Sequence, residues 1–202
     1  MVSQKDFFQT IQQETVAEYK DRGSRFLACA FPLSNKLAFK HKLDLLKKEH
    51  PKANHFCFAY RIGIDGNNFR SSDDGEPSGS AGKPILGQID SKELTNIAIV
   101  VVRYFGGTLL GVPGLINAYK TSAALALQLS PIIKKPIVFR CTIDFDYTQM
   151  NEVQRWLKNF NAQIIAQELQ LFCKITADIP KTNMEEARNI FSQFQNITFS
   201  IS

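Results

Sequence analysis

An unbroken aliphatic run, Ile97–Val102, constrains the fold of this chain more than any other feature of its sequence. Its β-branched residues predict a strand over 96–105, and the run shows no alternation of apolar and polar side chains. A strand of this kind is buried on both faces, so other elements must cover it from two sides. The run is also far too short to span a membrane. We therefore expect a layered globular protein built around this strand.

Turn and capping signals divide the rest of the first two-thirds of the chain into elements. Before the buried strand they predict a strand over 24–31, a helix over 37–49, a strand over 55–64 and a short helix over 83–89. The segment Asp65-Gly-Asn-Asn predicts a hairpin turn. After the buried strand, Pro113 suits the first turn of a helix that continues to about Leu129.

The segment 130–136 predicts a linker, because its two prolines and two lysines interrupt both helical and strand periodicity. Beyond it the patterns predict strand, helix, strand, strand, helix and strand over 137–145, 148–160, 162–168, 171–179, 183–194 and 197–201. This βαββαβ order is that of a ferredoxin-like sandwich. On its first helix, Trp156 belongs to an apolar stripe typical of a core. The sequence therefore predicts an α+β protein with two domains, 1–133 and 137–202.

Positive charge is concentrated in the first of these domains. Residues 1–135 contain 18 Lys and Arg against 12 Asp and Glu, a net charge of +6, whereas residues 136–202 contain 6 against 7, a net charge of −1. A basic domain is suited to binding an anionic polymer, although solubility alone would also account for it. The N-terminus lacks the layout of a signal peptide, and the four cysteines lack zinc-ligand or redox spacing. We expect a cytoplasmic protein with reduced, buried cysteines and no membrane contact.

Two glycine-rich segments are candidates for one functional site. Residues 70–87 are small, charged and turn-forming, so they cannot bury themselves and must form a surface loop. A second segment, 103–114, joins the buried strand to the helix near Pro113. Amides at the N-terminus of a helix attract phosphate, and an aromatic side chain beside them can stack on bases. Two such loops in one domain predict a shared cleft.

We assign to RNA contact the residues of these loops that offer backbone amides, hydroxyls, positive charge or an aromatic ring: Arg70, Ser71, Ser72, Gly75, Ser78, Gly79, Ser80, Gly82, Lys83, Arg103, Tyr104, Gly106 and Gly107. The acidic side chains among them would repel phosphate, so we assign Asp73, Asp74 and Glu76 to shaping the loop. The alternative for these carboxylates is a metal site completed by His55, although no calcium-loop spacing is present.

Four segments taken together resemble the YigZ/IMPACT family: Ala53–His55, Tyr60–Gly63, Arg70–Ile85 and Val101–Gly107. The third is the most specific, because of its length and unusual composition. The resemblance covers about residues 15–130, and the remainder resembles the small C-terminal domain of bacterial members. One departure is Asn117, which stands where the family usually has Arg, so a cation that could contact phosphate is missing here.

The resemblance implies a first domain similar to domain IV of elongation factor G, in the ribosomal-protein and GHMP-kinase-like superfamily, and a second similar to its domain V. It therefore implies a non-enzymatic protein without a cofactor that binds RNA or the ribosome and modulates translation. Two alternatives stay open. One is a metal-dependent hydrolase or phosphate-ester enzyme that uses the acidic loop, and the other is a protein-interaction module.

Overall fold

The computed structural model describes residues 6–201, which fall into two compact units. Residues 8–135 form the N-terminal unit, and residues 136–201 with Asp6 and Phe7 form the C-terminal unit. None of the helices between residues 6 and 201 combines the length and apolarity that a membrane-spanning helix needs. Up to Pro136, the elements are β1 Phe7–Ile11, β2 Thr15–Asp21, β3 Ser24–Pro32, α1 Lys36–Glu49, β4 His55–Ile62, β5 Asn68–Ser72, α2 Gly82–Ser91, β6 Ile97–Tyr104, α3 Gly111–Leu129 and β7 Ile132–Pro136.

A five-stranded antiparallel sheet forms the middle layer of the N-terminal unit, in the order β2-β3-β6-β4-β5. The aliphatic run lies in β6, at the centre of this sheet. Side chains alternate along the strand, so Ile99 and Val101 face α2 and α3 while Val100 and Val102 face α1. The predicted burial of this strand on both faces is confirmed.

Most predicted elements of this unit are confirmed, including the β4–β5 hairpin and the helices at 82–91 and 111–129. The prediction of a linker at 130–136 is wrong, because Ile132–Pro136 forms β7, which pairs with β1 in a two-stranded sheet. The amide of Gln12 continues this contact by donating to the carbonyl of Pro131, at 3.0 Å. The strand depends on a partner more than a hundred residues away, which no local pattern reveals.

The C-terminal unit contains β8 Val138–Asp146, α4 Met150–Asn159, β9 Gln163–Glu168, β10 Phe172–Pro180, α5 Met184–Phe191 and β11 Ile197–Ile201. Its antiparallel sheet has the order β11-β8-β10-β9, and α4 and α5 pack on one face of it. This confirms the ferredoxin-like βαββαβ prediction and the α+β class. Trp156 packs against this core, with its ring 5.7 Å from that of Phe160. The likeness to domains of elongation factor G stays a prediction.

The loop after β6 is held against the β2–β3 turn by a close approach of two glycines. A Cβ added to Gly106 would lie 1.9 Å from the carbonyl carbon of Gly23, which is backbone and cannot rotate away. The amide of Gly106 also donates to Oγ of Ser24, at 3.2 Å. Only glycine permits this contact, so Gly106 determines where the loop leaves the sheet.

Replacing Gly106 by Ala is expected to lower the free energy of unfolding by about 1–3 kcal/mol, because the backbone must shift to remove the clash. The matched control is Gly87→Ala in α2, where an added Cβ meets nothing within 4 Å. That variant should gain about 0.5–1 kcal/mol from better helix propensity. Urea denaturation of the two variants checks both values, and equal changes in stability would contradict the close approach.

Separate folding of the two units stays a prediction, and β7 now indicates where to divide the chain. A fragment ending at Lys135 keeps β7 as the partner of β1, whereas a fragment ending at Ser130 removes that partner. We expect the longer fragment to unfold cooperatively and at the higher temperature, as followed by circular dichroism. A longer fragment without a cooperative transition would show that the N-terminal unit needs the rest of the chain.

Candidate functional site

The two glycine-rich segments meet at a cleft of about 470 Å³ in the N-terminal unit. The acidic loop between β5 and α2 contributes one wall and the β6–α3 loop contributes another, while the start of β4 closes the floor. The cleft is lined by Asn54, His55, Glu76, Pro77, Arg103, Phe105, Leu109, Leu110, Gly111, Val112 and Leu115. This confirms the prediction that the two loops converge at one cleft.

Asp73 organises the acidic loop by accepting hydrogen bonds from three backbone amides. Its Oδ1 accepts from Ala81 at 3.0 Å and from Gly82 at 2.8 Å, and its Oδ2 accepts from Gly79 at 2.9 Å. These amides lie at or just before the N-terminus of α2. Burial alone would raise the pKa of Asp73, but the three amides outweigh it and hold the pKa below its ordinary value. The carboxylate therefore acts as the anion of this helix terminus.

Asp74 joins the loop to the first residues of β4. Its Oδ2 accepts a hydrogen bond from the amide of Phe56 at 2.6 Å, and its carbonyl oxygen lies 2.8 Å from Nδ1 of His55. Asp74 has a positive φ of 43°, and the following Gly75 has a φ of 88°, so the backbone reverses direction here. Both acidic side chains therefore shape the loop, as the sequence analysis assigned them.

Glu76 forms a buried cluster with side chains from β6 and α3. Its Oε1 accepts from Nη1 of Arg103 at 2.5 Å and from the hydroxyl of Tyr119 at 2.7 Å, and Nε2 of His55 lies 3.9 Å away. The Glu76 and Arg103 side chains are only 4% and 6% exposed, so each needs the other as a partner. Burial raises the pKa of Tyr119 far above its ordinary value, which keeps its hydroxyl protonated as a donor.

The cysteines are buried and free, as expected from their spacing. Cys57 lies beneath the acidic loop, where its Sγ is 2.9 Å from the carbonyl oxygen of Asp73 and 3.2 Å from the hydroxyl of Tyr119. Burial raises the pKa of the Cys57 thiol, and it raises the pKa of both Cys29 and Cys141 to about 11. These three therefore stay protonated at neutral pH and do not serve as nucleophiles.

The structure changes the roles of several residues that the sequence analysis assigned to RNA. The amides of Gly79 and Gly82 are used by Asp73, and Arg103 is buried against Glu76, so none of the three is free for phosphate. Tyr104 projects from the opposite face of the sheet to Arg103, because adjacent strand residues alternate. Its hydroxyl lies 2.9 Å from Nδ1 of His50, which is half-buried.

The remaining predicted contact residues lie on β5, at the start of α2 and in both glycine-rich loops. Arg70, Ser71 and Ser72 lie on the edge strand β5, and Lys83 is exposed in the first turn of α2. Ser80 is buried, and its hydroxyl donates to the carbonyl of Pro77 at 2.6 Å. Three others are at the loop surface: Gly75, Ser78 and Gly107.

The same geometry bears on the alternative of a metal site. Within residues 6–201, no group of three or more His, Cys, Asp or Glu side chains is arranged to hold a metal ion. Asp73 and Asp74 already accept backbone amides, and Glu76 accepts Arg103 and Tyr119. The acidic loop therefore offers no set of carboxylates for a metal-dependent hydrolase.

Two groups of residues at this site were missed by the sequence analysis. Asn54 appeared only within a segment that carried the family resemblance, with no role assigned, and Tyr119 was not singled out at all. Leu109 and Val112 lie in a glycine-rich segment yet have large apolar side chains that stay exposed. Exposed apolar residues within a turn-forming segment are the one local signal that would have indicated an apolar cleft.

Replacing Asp73 by Asn is expected to destabilise the protein by about 1–3 kcal/mol at neutral pH, because charge-assisted bonds to the amides are lost. The folded-state pKa of Asp73 lies below its unfolded value, so this stabilisation is complete at neutral pH and is lost as pH falls through the folded-state value. The gap in free energy of unfolding between wild type and variant should therefore shrink below about pH 4.

Urea denaturation across this pH range measures the gap, with Asp44→Asn on the exposed surface of α1 as the control. The control should match wild type within about 0.5 kcal/mol at every pH. A gap for Asp73→Asn that stays constant down to low pH would show that its charge is not what the amides bind.

Comparison with known proteins shows which family this chain resembles. Residues 22–127 match the family model of the Impact N-terminal domain. The chain is 38% identical over 144 residues to an IMPACT family member of Haemophilus influenzae, covering 69% of each chain. It is 33% identical over 165 residues to the IMPACT family member YigZ of Escherichia coli, covering 81% of each.

A more distant relative and a solved structure extend the match. The IMPACT family member YvyE of Bacillus subtilis is 31% identical over 160 residues, covering 79% of this chain and 73% of YvyE. A crystal structure described only as that of an hypothetical protein has a TM-score of 0.77 at 28% identity, covering 96% of this chain and 97% of the other. Because the family model covers more than half of its length and relatives match most of it, this chain belongs to the IMPACT family.

Proposed function

We propose that this protein is a non-enzymatic RNA- or ribosome-binding protein that acts through the solvent face of α1 and so modulates translation. The observation that carries the proposal is a cluster of exposed lysines on and just after this helix: Lys36, Lys40, Lys47, Lys48 and Lys52. Asp44 and Glu49 are the acidic residues of this segment, so the cluster has a clear positive excess. A ribosomal partner would place the protein in the cytoplasm.

The helix geometry places these charges on one side of α1. Lys36, Lys40 and Lys47 are four and seven residues apart, which places them within about 40° of one another around the axis. Phe39 and Leu46 lie roughly 90° away around the axis, on the buried side, and fasten α1 to the sheet. A stripe of cations on a rigid helix can follow a phosphate backbone, and release of counterions would then drive binding.

Two of the residues predicted to contact RNA lie on this same face of the sheet. Tyr104 packs with the core beneath α1, and Arg70 lies with its guanidinium carbon 5.8 Å from the ring of Phe58, which belongs to that core. Arg25 lies over the Tyr104 ring at 5.6 Å, but its guanidinium is already paired with Glu18, with Nη2 3.0 Å from Oε2. The positive surface proposed for RNA therefore extends from α1 towards Arg70 on β5.

The lysine face supports RNA contact better than the glycine-rich loops do. The amides at the start of α2 already have a carboxylate partner in Asp73, and Arg103 has one in Glu76. By contrast, the lysines of the α1 face are exposed to solvent. A polyanion gains most from cations whose charge is not already neutralised.

Replacing Lys36, Lys40 and Lys47 together by Gln is expected to weaken binding of a short single-stranded RNA and to reduce its salt dependence. Loss of three phosphate contacts should lower the slope of log K against log salt by about 2, at ~0.7 per contact for single strands. Fluorescence anisotropy with a labelled RNA over a salt series measures this slope, and co-sedimentation with ribosomes over the same series tests the larger partner.

The control replaces Lys120, Lys134 and Lys135 by Gln, which removes the same charge from exposed positions outside α1. This control should lower the affinity for RNA by less than the α1 triple variant does. Most of the slope of log K against log salt should remain. A separate Lys83→Gln variant tests the loop that the sequence analysis favoured. Absence of salt-sensitive binding at low salt would overturn the proposal, and equal effects of the two triple variants would show that net charge alone is responsible.

A further inference from the structure

The cleft between the two loops has a chemistry different from that of the α1 face. Its walls are apolar and are formed by Pro77, Phe105, Leu109, Leu110, Val112 and Leu115, whereas its floor is polar. We propose that this cleft binds a short apolar peptide segment of a partner protein, holding apolar side chains between its walls and main-chain amides at its floor. This goes beyond RNA binding and does not depend on it.

The charges at the floor argue against an anionic ligand. Glu76 and Arg103 neutralise each other, with Nη1 of Arg103 2.5 Å from Oε1 of Glu76. A phosphate or carboxylate entering the cleft would meet the Glu76 carboxylate beside the only guanidinium that lines it. Desolvating an anion next to a carboxylate is costly, whereas a neutral amide carries no such penalty. The floor is therefore suited to a dipolar neutral group.

The floor also offers the acceptors that a peptide N–H requires. Oε1 of Glu76 is occupied by Arg103 and Tyr119, but Oε2 accepts no hydrogen bond from residues 6–201. Nδ1 of His55 faces the carbonyl oxygen of Asp74, which can only accept, so Nδ1 carries the proton. In the neutral ring Nε2 is then an acceptor, and His55 lines the cleft next to Glu76.

Donors for a peptide carbonyl lie beside these acceptors. Asn54 uses its Oδ1 to accept the amide of Phe105 at 2.8 Å, which leaves its Nδ2 without a partner in the described part of the chain. Arg103 is 5% exposed, and its Nε is buried and has no hydrogen-bond partner among the described residues. This Nε has almost no solvent-accessible surface, so the donors that the floor offers to a ligand are the two N–H groups of Asn54 Nδ2.

The apolar surface continues past the mouth of the cleft, which indicates a ligand longer than the cleft itself. Leu109 is 81% exposed, Val112 47% and Phe105 44%, and Ile116 lies one turn after Val112 on α3 with 38% exposed. Isolated exposed apolar residues are ordinary, but a contiguous group at the mouth of an apolar cleft is typical of a protein-binding surface. A peptide whose side chains alternate between cleft and rim would cover both.

The peptide proposal is tested by NMR on the full-length ¹⁵N-labelled protein with a defined probe, N-acetyl-Leu-Phe-methylamide. Weak binding should shift the amide signals of Asn54, His55 and residues 109–112 while leaving those of α1 unchanged. The polar analogue N-acetyl-Ser-Asn-methylamide should cause no such shifts. The depsipeptide with an ester in place of the central amide keeps the shape but loses an N–H, and it should bind about tenfold more weakly.

Substitution of the rim supplies a second measurement that does not disturb the buried floor. Leu109→Ser removes an exposed side chain and should weaken binding of the apolar peptide by about threefold to tenfold, since part of a leucine contact is lost. The matched control is Leu129→Ser at the far end of α3, where the leucine is 60% exposed, and it should bind as wild type does.

Several results would overturn the proposal. Shifts that are the same for the apolar and the polar peptide would show non-specific contact, and absence of shifts at millimolar peptide would show no site. Binding of octanoate without binding of the peptide would make the cleft a site for an apolar acid. Shifts of the cleft amides on adding single-stranded RNA, with none on adding peptide, would assign the cleft to RNA, whereas failure of the lysine variants alone leaves the cleft proposal standing.

Discussion

The buried ion pair between Glu76 and Arg103 ties the acidic loop to the centre of the N-terminal unit. Arg103 lies near the end of β6, the central strand, and Glu76 lies in the loop that leads to α2. Tyr119 of α3 donates to the same carboxylate oxygen, so three separate elements meet at one atom. Removing one partner of such a pair leaves an unpaired buried charge, which typically costs about 3–5 kcal/mol. The loop is therefore anchored, although its composition is that of a mobile surface segment.

The three acidic residues of the loop show how one sequence cluster can take three different structural roles. Asp73 binds the amides before and at the start of α2, Asp74 binds the amide of Phe56 in β4, and Glu76 points inward to Arg103. Gly75, with its positive φ, lies between the second and the third and allows the chain to turn between them. Each carboxylate thus satisfies donors that would otherwise be unpaired, and the charge of Glu76 is balanced by Arg103.

Alternation along β6 divides the N-terminal unit into two chemically distinct surfaces. Arg103 faces α3 and contributes to the floor of a neutral, apolar cleft, while the adjacent Tyr104 faces α1. The α1 face has an excess of lysines and suits a polyanion, whereas the cleft suits a neutral apolar ligand. Because the sheet lies between them, the two proposed activities use different residues and can be changed one at a time.

The sequence by itself determined the α+β class, the position of the central strand, the βαββαβ order of the C-terminal unit and the convergence of the two glycine-rich loops. These follow from periodicity, turn residues and chain connectivity, which are local properties. The partners of individual side chains were decided only by the tertiary structure. Strand β7 exists because β1 lies beside it, and Arg103 is unavailable to phosphate because Glu76 reaches it from 27 residues away. Long-range pairing and burial determine whether a charge is free or neutralised, and neither can be read from neighbouring residues.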